Sequence, residues 1–517
     1  MAADFLPVPL TWILLAILPV LFYIYAVRPL QRFKKMGVPG PAPWPIIGNL
    51  LDHIRDGIWN IETQVERTRK YGTVYGMLGG GFTGVFVTDP EMLQDVFVKK
   101  FHSFTNRQTK DLLINVKPVG RMLTQLADEE WKSVRSTVSP AFSGGKLKQM
   151  AEPMNSCADL LIENMSKFAR NGESFEIKEL TGAFTMDVIT RTAFGTQIDS
   201  QKNPDDPFVV SAKKMLDRPI SPAIFMFLVF PKLMKPIFEK FQINLFPSGP
   251  TQFFYNVFDQ LMEMRQADGQ EKRVDFMQLM MNAHKEHDKE HDGPGDKLHG
   301  HKQPLTKDDV VANGILFFIA GYETTATTMA YVLYNLALNQ NKQDIVRQEI
   351  NRIMEDREVV DYEAVHKMSY LEMCILETLR MYPPVSINAR ASSEEVKLKW
   401  LTIPKGMMVG VPILAIHYDP ERWPEPYKFI PERFTKEEKE KRGAFDWVPF
   451  GSGPRNCIGM RLALFELKLG LARLLAKYRI MTGPDTDIPL KMKKFKKFPV
   501  PENGIKLKVE LVDQAAD

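Results

Sequence analysis

Cysteine is scarce, with three residues in a chain of 517. That excludes a disulfide-stapled scaffold and points to a reducing compartment. Surplus charge is lacking too: the formal net charge is +4, too mild to argue for a nucleic-acid partner. No internal repeat is evident. No Rossmann fingerprint and no flavin motif appears, so the chain cannot collect electrons from NADPH by itself. Histidine is also sparse. Five of the nine fall between His284 and His301 without any fixed ligand spacing. With Gly293-Pro-Gly295 among them, that tract reads as a solvated loop rather than a metal site.

Long apolar runs are absent with one exception, residues 10–27, which carry Trp12 at one end and Tyr23 and Tyr25 near the other. Eighteen nearly unbroken apolar residues predict a helix just able to span a bilayer. A cleaved secretory signal fits poorly, because Asp4 and no basic residue precedes the run. Arg28, Arg32, Lys34 and Lys35 follow it, so the positive-inside rule puts the C-terminal side in the cytosol. The segment Gly37-Val-Pro-Gly-Pro-Ala-Pro43 is then a stiff, extended hinge. The expected organisation is an anchor with basic flank over 1–36, a proline-rich hinge over 37–45, and one catalytic domain over 46–517. Hydrophobic residues make up 44% of the chain, enough for a sizeable core.

Residues 73–77 and 84–87 read as short strands beside a mainly helical mass. Several amphipathic helices are expected between 155 and 290. Within them, 219–250 is very apolar, with Phe225, Phe227 and Phe230 close together. The interspersed Lys232, Lys235, Glu239 and Lys240 favour a membrane-dipping lid over plain core. Thr306 with Asp309 forms a capping-box pattern at the start of a long helix reaching about Asn339. Gly321 and the Thr324-Thr325 pair are locally unfavourable inside such a helix, since glycine costs ~1 kcal/mol there. Space for a ligand, with a threonine hydroxyl bent toward it, would explain that cost.

The remaining cysteine of interest lies in Phe450-Gly-Ser-Gly-Pro-Arg-Asn-Cys457-Ile-Gly459, ahead of an apolar helix over 460–478. A thiolate pushes electron density onto haem iron and favours O–O cleavage. Phe450 can shield the sulfur, Gly453 and Gly459 allow close approach to a flat macrocycle, and Arg455 suits a propionate. The helix N-terminus tempers the thiolate's basicity. Cys157 and Cys374 sit in apolar-periodic helices and read as packing residues.

The spacing Phe-x-x-Gly-x-Arg-x-Cys-x-Gly resembles the haem-binding signature of cytochrome P-450 monooxygenases. Five fixed residues in ten arise by chance on the order of once in 10,000 chains of this length. The resemblance extends over the whole chain and is similar in wording to the microsomal family-3 branch of animals. It implies a mainly α fold with a small β region, the cytochrome P-450 haem-thiolate fold, preceded by an N-terminal transmembrane helix. It implies haem b with Cys457 as axial ligand. Trp131 and Arg135, four apart on one helix face, would donate to a haem propionate. Arg107, Arg390 and Arg455 become further propionate donors by position, with Phe450 and Gly459 beside the haem.

The stretch Ala320-Gly-Tyr-Glu323-Thr324-Thr325 matches the family's oxygen-activating motif. Thr324 then hydrogen-bonds to dioxygen and Glu323 relays protons. Glu377, Arg380 and Arg433 match the family's buried ionic triad, a structural element. Pocket positions by resemblance are Leu113, Thr124, Leu316, Phe317, Ile319, Ala320 and Val385. These are mainly apolar, which predicts broad selectivity among lipophilic compounds. The implied partners are NADPH–cytochrome reductase, a cytochrome b-type donor as a second candidate, a membrane and no nucleic acid. The implied location is the endoplasmic reticulum membrane with the catalytic domain cytosolic. A haem-thiolate isomerase acting on a lipid endoperoxide is the alternative enzyme class. The Glu323–Thr324 pair argues against it, because an isomerase has no need of a proton relay.

Overall fold

The structure is a computed structural model. It describes residues 10–57, 60–79, 83–109, 112, 115–216, 221–243, 246–267, 275–290, 305–493 and 499–512. The expectations for Leu113 and for most of the His-rich tract fall outside the described residues.

The apolar N-terminal run is not one helix. Helix α1 covers Leu10–Phe22 with Pro19 inside it. The winding then widens to a π turn, Tyr23–Val27, and tightens to a 3-10 turn, Arg28–Gln31. Proline withholds one backbone donor, which disturbs the ladder at this point. Thirteen α-helical residues reach ~20 Å, short of a ~30 Å hydrocarbon core. Among the described residues no helix is long and apolar enough to cross a membrane, against the expectation of a single span.

Strands β1 (Val74–Met77) and β2 (Gly84–Val87) pair antiparallel, where the sequence predicts two short strands, and both are buried along their whole length. A second pair from far along the chain, β4 (Ile387–Ala391) and β5 (Met408–Pro412), extends it in the order β1-β2-β5-β4. The β2–β5 pairing is parallel and β4–β5 antiparallel. A three-stranded sheet joins β3 (Phe175–Glu176), β7 (Lys506–Leu511) and β6 (Tyr478–Thr482).

Helices make up the rest. Those that frame the centre are α2 (Asp128–Val138), α3 (Gly144–Asn171), α4 (Ile177–Phe194), α8 (Lys307–Leu338), α9 (Ser369–Met381) and α10 (Met460–Lys477). Between α4 and α8 come α5 (Pro222–Val229), α6 (Pro231–Lys240) and α7 (Ser248–Ala267). The expected capping box opens α8: the Thr306 hydroxyl accepts from the Asp309 N–H, and the Asp309 carboxylate accepts from the Thr306 N–H. At 32 residues α8 runs ~48 Å. It is buried almost throughout, packed on α4 and α10, which makes it the axis of the core.

Gly321 is where α4 meets α8. A Cβ there would stand 2.8 Å from Cδ1 of Ile189, too close for real atoms. The glycine is therefore a packing notch for α4 and not the ligand space expected from the sequence. Helices α5 and α6 close a small apolar cluster of their own, with the Phe227 and Phe238 rings 5.0 Å apart. Their outer side leaves Met226, Phe230, Leu233, Ile237 and Phe241 exposed.

Candidate functional site

The segment from Phe450 to Ile458 is a run of turns between Val448 and α10. The Cys457 N–H donates to the Phe450 carbonyl at 2.9 Å, and the Asn456 N–H to that of Gly453 at 3.1 Å. Gly453 has φ +72°, and a Cβ there would lie 2.0 Å from the Phe97 carbonyl oxygen. Its glycine is required by close packing on the segment after β2, rather than by a macrocycle. Gly459 is different, since the nearest atom to an added Cβ is 4.0 Å away on the Phe142 ring.

The Cys457 thiol feels opposing influences. Burial pushes its pKa up. The N–H groups of Gly459 and Met460, at the first turn of α10, and the guanidinium groups of Arg107 and Arg135 pull it down. Burial wins for the protein atoms alone, and the net direction is up. Yet Cys457 is exposed while lying this deep, so its open surface faces inward. Cys157 and Cys374 are fully buried, with burial raising the pKa of the first to about 12 and that of the second well above its ordinary value. Neither is a plausible ligand.

Arg107 and Arg135 lie close enough to feel the Cys457 sulfur, and Arg390 and Arg455 face Arg107 in turn; none of the four forms an ion pair among the described residues, and Asp128 is the one carboxylate whose charge reaches the group, at Arg455. Arg455 donates from Nη1 to the Thr105 carbonyl at 2.7 Å, and from Nη2 to those of Leu126 at 2.6 Å and Leu123 at 3.4 Å. Its guanidinium lies 4.7 Å over the Trp131 ring. Arg390, on β4, donates from Nη1 to Asn388 Oδ1 and the Ala389 carbonyl, both at 2.9 Å, and lies over the Phe97 ring. Arg107 donates to the Arg455 carbonyl at 3.2 Å, and Arg135 to Asn456 Oδ1 at 3.2 Å.

Buried nitrogens are left over: Nε of Arg107, Nε and Nη2 of Arg390, and Nε of Arg455. Burial and mutual repulsion lower the pKa of Arg390 well below its ordinary value and that of Arg455 to about 9. Buried cations without counter-charge cost several kcal/mol each. A dianionic ligand beside the sulfur would supply what they lack, and the two propionates of haem have that character. The residues present therefore fit the expected cofactor. The fit also redistributes roles. Arg455 spends both Nη atoms on the backbone of 105–126 and its face on Trp131, keeping only Nε unpaired, while Arg390 keeps both Nε and Nη2 and Arg107 keeps Nε.

The remaining expected site residues are carried largely by α8. Leu316, Ile319 and Thr324 are half-buried and Ala320 is exposed, within a helix that is otherwise closed. Thr324 Oγ1 donates to the Ala320 carbonyl at 2.7 Å, a back-bond within the helix. Glu323 points elsewhere, toward α4. Its Oε1 is 2.5 Å from Lys178 Nζ and accepts from the Thr327 hydroxyl at 3.3 Å. The neighbouring acid and alcohol therefore share no hydrogen bond. Phe317 packs on Phe276 and Phe142 at 4.3 and 5.6 Å between ring centroids. Thr124 is half-buried in the loop before α2, and Val385 is exposed between α9 and β4.

The triad is assembled as expected. Arg380 donates from Nε and Nη2 to the two Glu377 oxygens at 2.7 and 2.9 Å, and Arg433 Nε to Oε1 at 3.3 Å. Three residues escaped the sequence reading. His417 donates from Nδ1 to the Arg380 carbonyl at 2.9 Å, while its Nε2 accepts from the Val448 N–H at 3.1 Å, so it braces the turn that carries Phe450. Lys178 pairs with Glu323. Asn313 of α8 accepts from the Leu123 N–H at 2.8 Å. None belongs to a local motif; each is defined by a partner far along the chain.

The family model for cytochrome P450 matches residues 38–509 of this chain. The chain is 40% identical to cytochrome P450 3A29 of Sus scrofa over 486 residues, 93% of each protein. It is 39% identical to cytochrome P450 3A11 of Mus musculus over 504 residues, 96% of each. To cytochrome P450 3A5 of Homo sapiens it is 38% identical over 507 residues, 97% of each.

Proposed function

The chain belongs to the cytochrome P450 family, and from that premise we propose that it oxidises lipophilic small molecules at a membrane surface with electrons from NADPH–cytochrome reductase. As a member of the family it is a haem-thiolate monooxygenase. Xenobiotics, steroids and fatty-acid-like compounds are the proposed substrate classes. Haem, when bound, supplies the iron chemistry that cleaves dioxygen, one oxygen atom going to the substrate and the other to water.

The chain's own residues do the remaining work. Cys457 would hold the haem iron, and the Gly459 and Met460 N–H groups would stabilise negative charge on its sulfur. Arg107 and Arg390 take the propionates, with Arg135 beside Asn456 as a half-buried third donor. Leu316, Ile319, Ala320 and Thr124 offer an apolar, weakly directional surface to the substrate. Thr324 is the one hydroxyl of the α8 stripe. By turning from the Ala320 carbonyl it can hand a proton toward the centre of the site. Glu323 is the proposed relay group behind it, paired with Lys178, whose side chain reaches partly into solvent. The observation that supports this reading is Cys457, which keeps an exposed surface although it lies deep in the fold, with the guanidinium groups of Arg107 and Arg135 beside it.

Membrane attachment is supported by two surfaces. One is α1, whose Trp12, Leu18, Phe22 and Tyr23 are exposed ahead of Arg28, Arg32, Lys34 and Lys35. The π turn continues the winding to Val27, and this whole arm is the proposed anchor at the endoplasmic reticulum, with the body cytosolic. The other is the apolar outer side of α5 and α6 with its interspersed lysines. For the reductase, basic residues near the thiolate are candidates.

The test has two arms. Cys457→Ala should abolish the red-shifted Soret band of the reduced carbonyl complex; survival of that band would overturn the ligand assignment. Thr324→Ala should keep the band while product per NADPH falls and hydrogen peroxide per NADPH rises. An unchanged product-to-NADPH ratio would remove Thr324 from proton delivery.

A further inference from the structure

The accessible stripe of α8 does not end at Leu316. Counting back along the same face from Thr324 and Ala320, the next position is Asn313, at i−7 from Ala320. Asn313 is fully buried, because the loop before α2 lies across it. Every polar atom of its side chain is engaged. Oδ1 accepts from the Leu123 N–H at 2.8 Å. Nδ2 donates to the Asp309 carbonyl at 2.8 Å and to the Arg121 carbonyl at 3.3 Å. One amide thus ties two backbone groups of the loop, one on each side of Met122, to a helix almost 200 residues away.

The same loop is tied again from both ends. Arg121 Nε donates to Asp309 Oδ1 at 2.7 Å, and its Nη1 reaches both oxygens of Glu130 at 3.3 Å. On the other side, Arg455 of the cysteine turn holds the Leu123 and Leu126 carbonyls. Thr124, half-buried, sits between these ties and has no side-chain hydrogen bond of its own among those described. The loop has no regular structure from Met122 to Ala127, so nothing in its own sequence fixes its height above α8. The amide geometry does. Buried amides with all donors and acceptors satisfied specify one arrangement, because any other leaves groups unpaired in a dry interior.

We propose that Asn313 is a positioning residue that sets the distance between the residue 121–126 loop and the Ala320–Thr324 surface, and so determines how well bulky lipophilic ligands fit over the haem. The inference rests on the reading that ligands lie on that surface. It touches neither the thiolate nor the proton path.

The experiment uses the haem-loaded full chain and two azole probes. Imidazole binds at iron and is too small to sense the loop; 1-dodecylimidazole binds through the same nitrogen but extends across the α8 surface. Both are titrated by the Soret shift in wild type, in Asn313→Leu and in Arg121→Gln, with exchange of the Leu123 amide proton followed by mass spectrometry. The expected result is unchanged imidazole affinity in both variants. The ratio of dodecylimidazole to imidazole affinity should change at least threefold in Asn313→Leu and less in Arg121→Gln, with at least tenfold faster exchange at Leu123 in Asn313→Leu. An affinity ratio within twofold of wild type in both variants would overturn the proposal. So would loss of haem and of imidazole binding together in both variants, which would assign the ties to folding alone. Failure of wild type to bind imidazole would instead strike the haem reading on which the proposal rests.

Discussion

Arg380 and Arg433 share the carboxylate of Glu377, whereas Arg107, Arg390 and Arg455 form no ion pair among the described residues. Both groups are buried charge close to the cysteine turn. In the first, every guanidinium nitrogen near Glu377 finds an oxygen, with the His417 carbonyl taking Arg380 Nη1 at 2.8 Å. In the second, four buried nitrogens end without a partner. Two groups of similar composition have therefore been assembled for different ends. The paired group is complete in the polypeptide and serves the fold. The unpaired group is unfavourable in the polypeptide alone and becomes favourable when an anionic ligand arrives, so its energy belongs to binding. The difference teaches how a chain announces a cofactor: by charge that its own folding does not satisfy.

The largest effect is expected where the paired group is broken. Glu377→Ala leaves two buried guanidinium groups with no counter-charge. Removing one partner of such a system costs about 3–5 kcal/mol. That is a large share of a domain's net stability. Denaturant unfolding of the purified variant should show a midpoint far below wild type, or no folded protein at all. A midpoint within experimental error of wild type would erase the distinction drawn between the two groups.

Next comes acid. His417 is buried against Arg380, and burial, then the Arg380 charge, lower its pKa to about 3. Unfolding returns it to its ordinary value near 6.5. The neutral form is the one the fold accepts, so this contribution is fully present above pH 6.5. It is lost progressively as pH falls from 6.5 toward 3, because the unfolded chain binds the proton first. The slope is about 1.4 kcal/mol per pH unit within that window. His417→Gln should flatten the decline of the urea midpoint between pH 6.5 and 4 relative to wild type, even if it is less stable at pH 7.5. Parallel curves for the two proteins would mean that His417 is not the group being titrated.

What could be read in advance follows the same divide. Cys457 and its turn, the Glu377–Arg380 pair and the capping box of α8 were legible because each is a pattern of a few consecutive residues. The chemistry of a pair at i,i+3 is set by helix geometry before the fold is known. Gly321 and Gly453 were misread because a glycine's reason is the atom opposite it. Those atoms, on Ile189 and Phe97, lie on other elements. Asn313 gave no signal at all, since one asparagine in a long apolar helix has many possible partners and Leu123 is 190 positions away. Arg455 was seen as a cation, but sequence could not show that the backbone of 105–126 would occupy its fork. The N-terminal run had the right length and composition, yet Pro19 and the turn at Tyr23–Val27 decide how it winds.

The smallest effect on the fold, and the sharpest test of the comparison, is expected at Arg390. Methionine fills similar volume and carries no charge. Arg390→Met removes a buried cation whose Nε and Nη2 have no acceptor and whose pKa burial, Arg107 and Arg455 all depress. It sacrifices two hydrogen bonds to Asn388 and Ala389, worth about 1–3 kcal/mol together. It gains relief of desolvation and repulsion of similar size. The urea midpoint of the haem-free protein should therefore move little in either direction. Haem retention should not be spared, because the free donors of Arg390 are those assigned to a propionate. Transfer of haem to excess apomyoglobin should be at least tenfold faster, which corresponds to about 1.4 kcal/mol of binding. The haem-loaded protein should lose apparent stability by mass action to that extent. Equal losses of stability with and without haem would make Arg390 a structural cation like Arg380. Unchanged haem transfer would place the propionates on Arg107 and Arg135 instead.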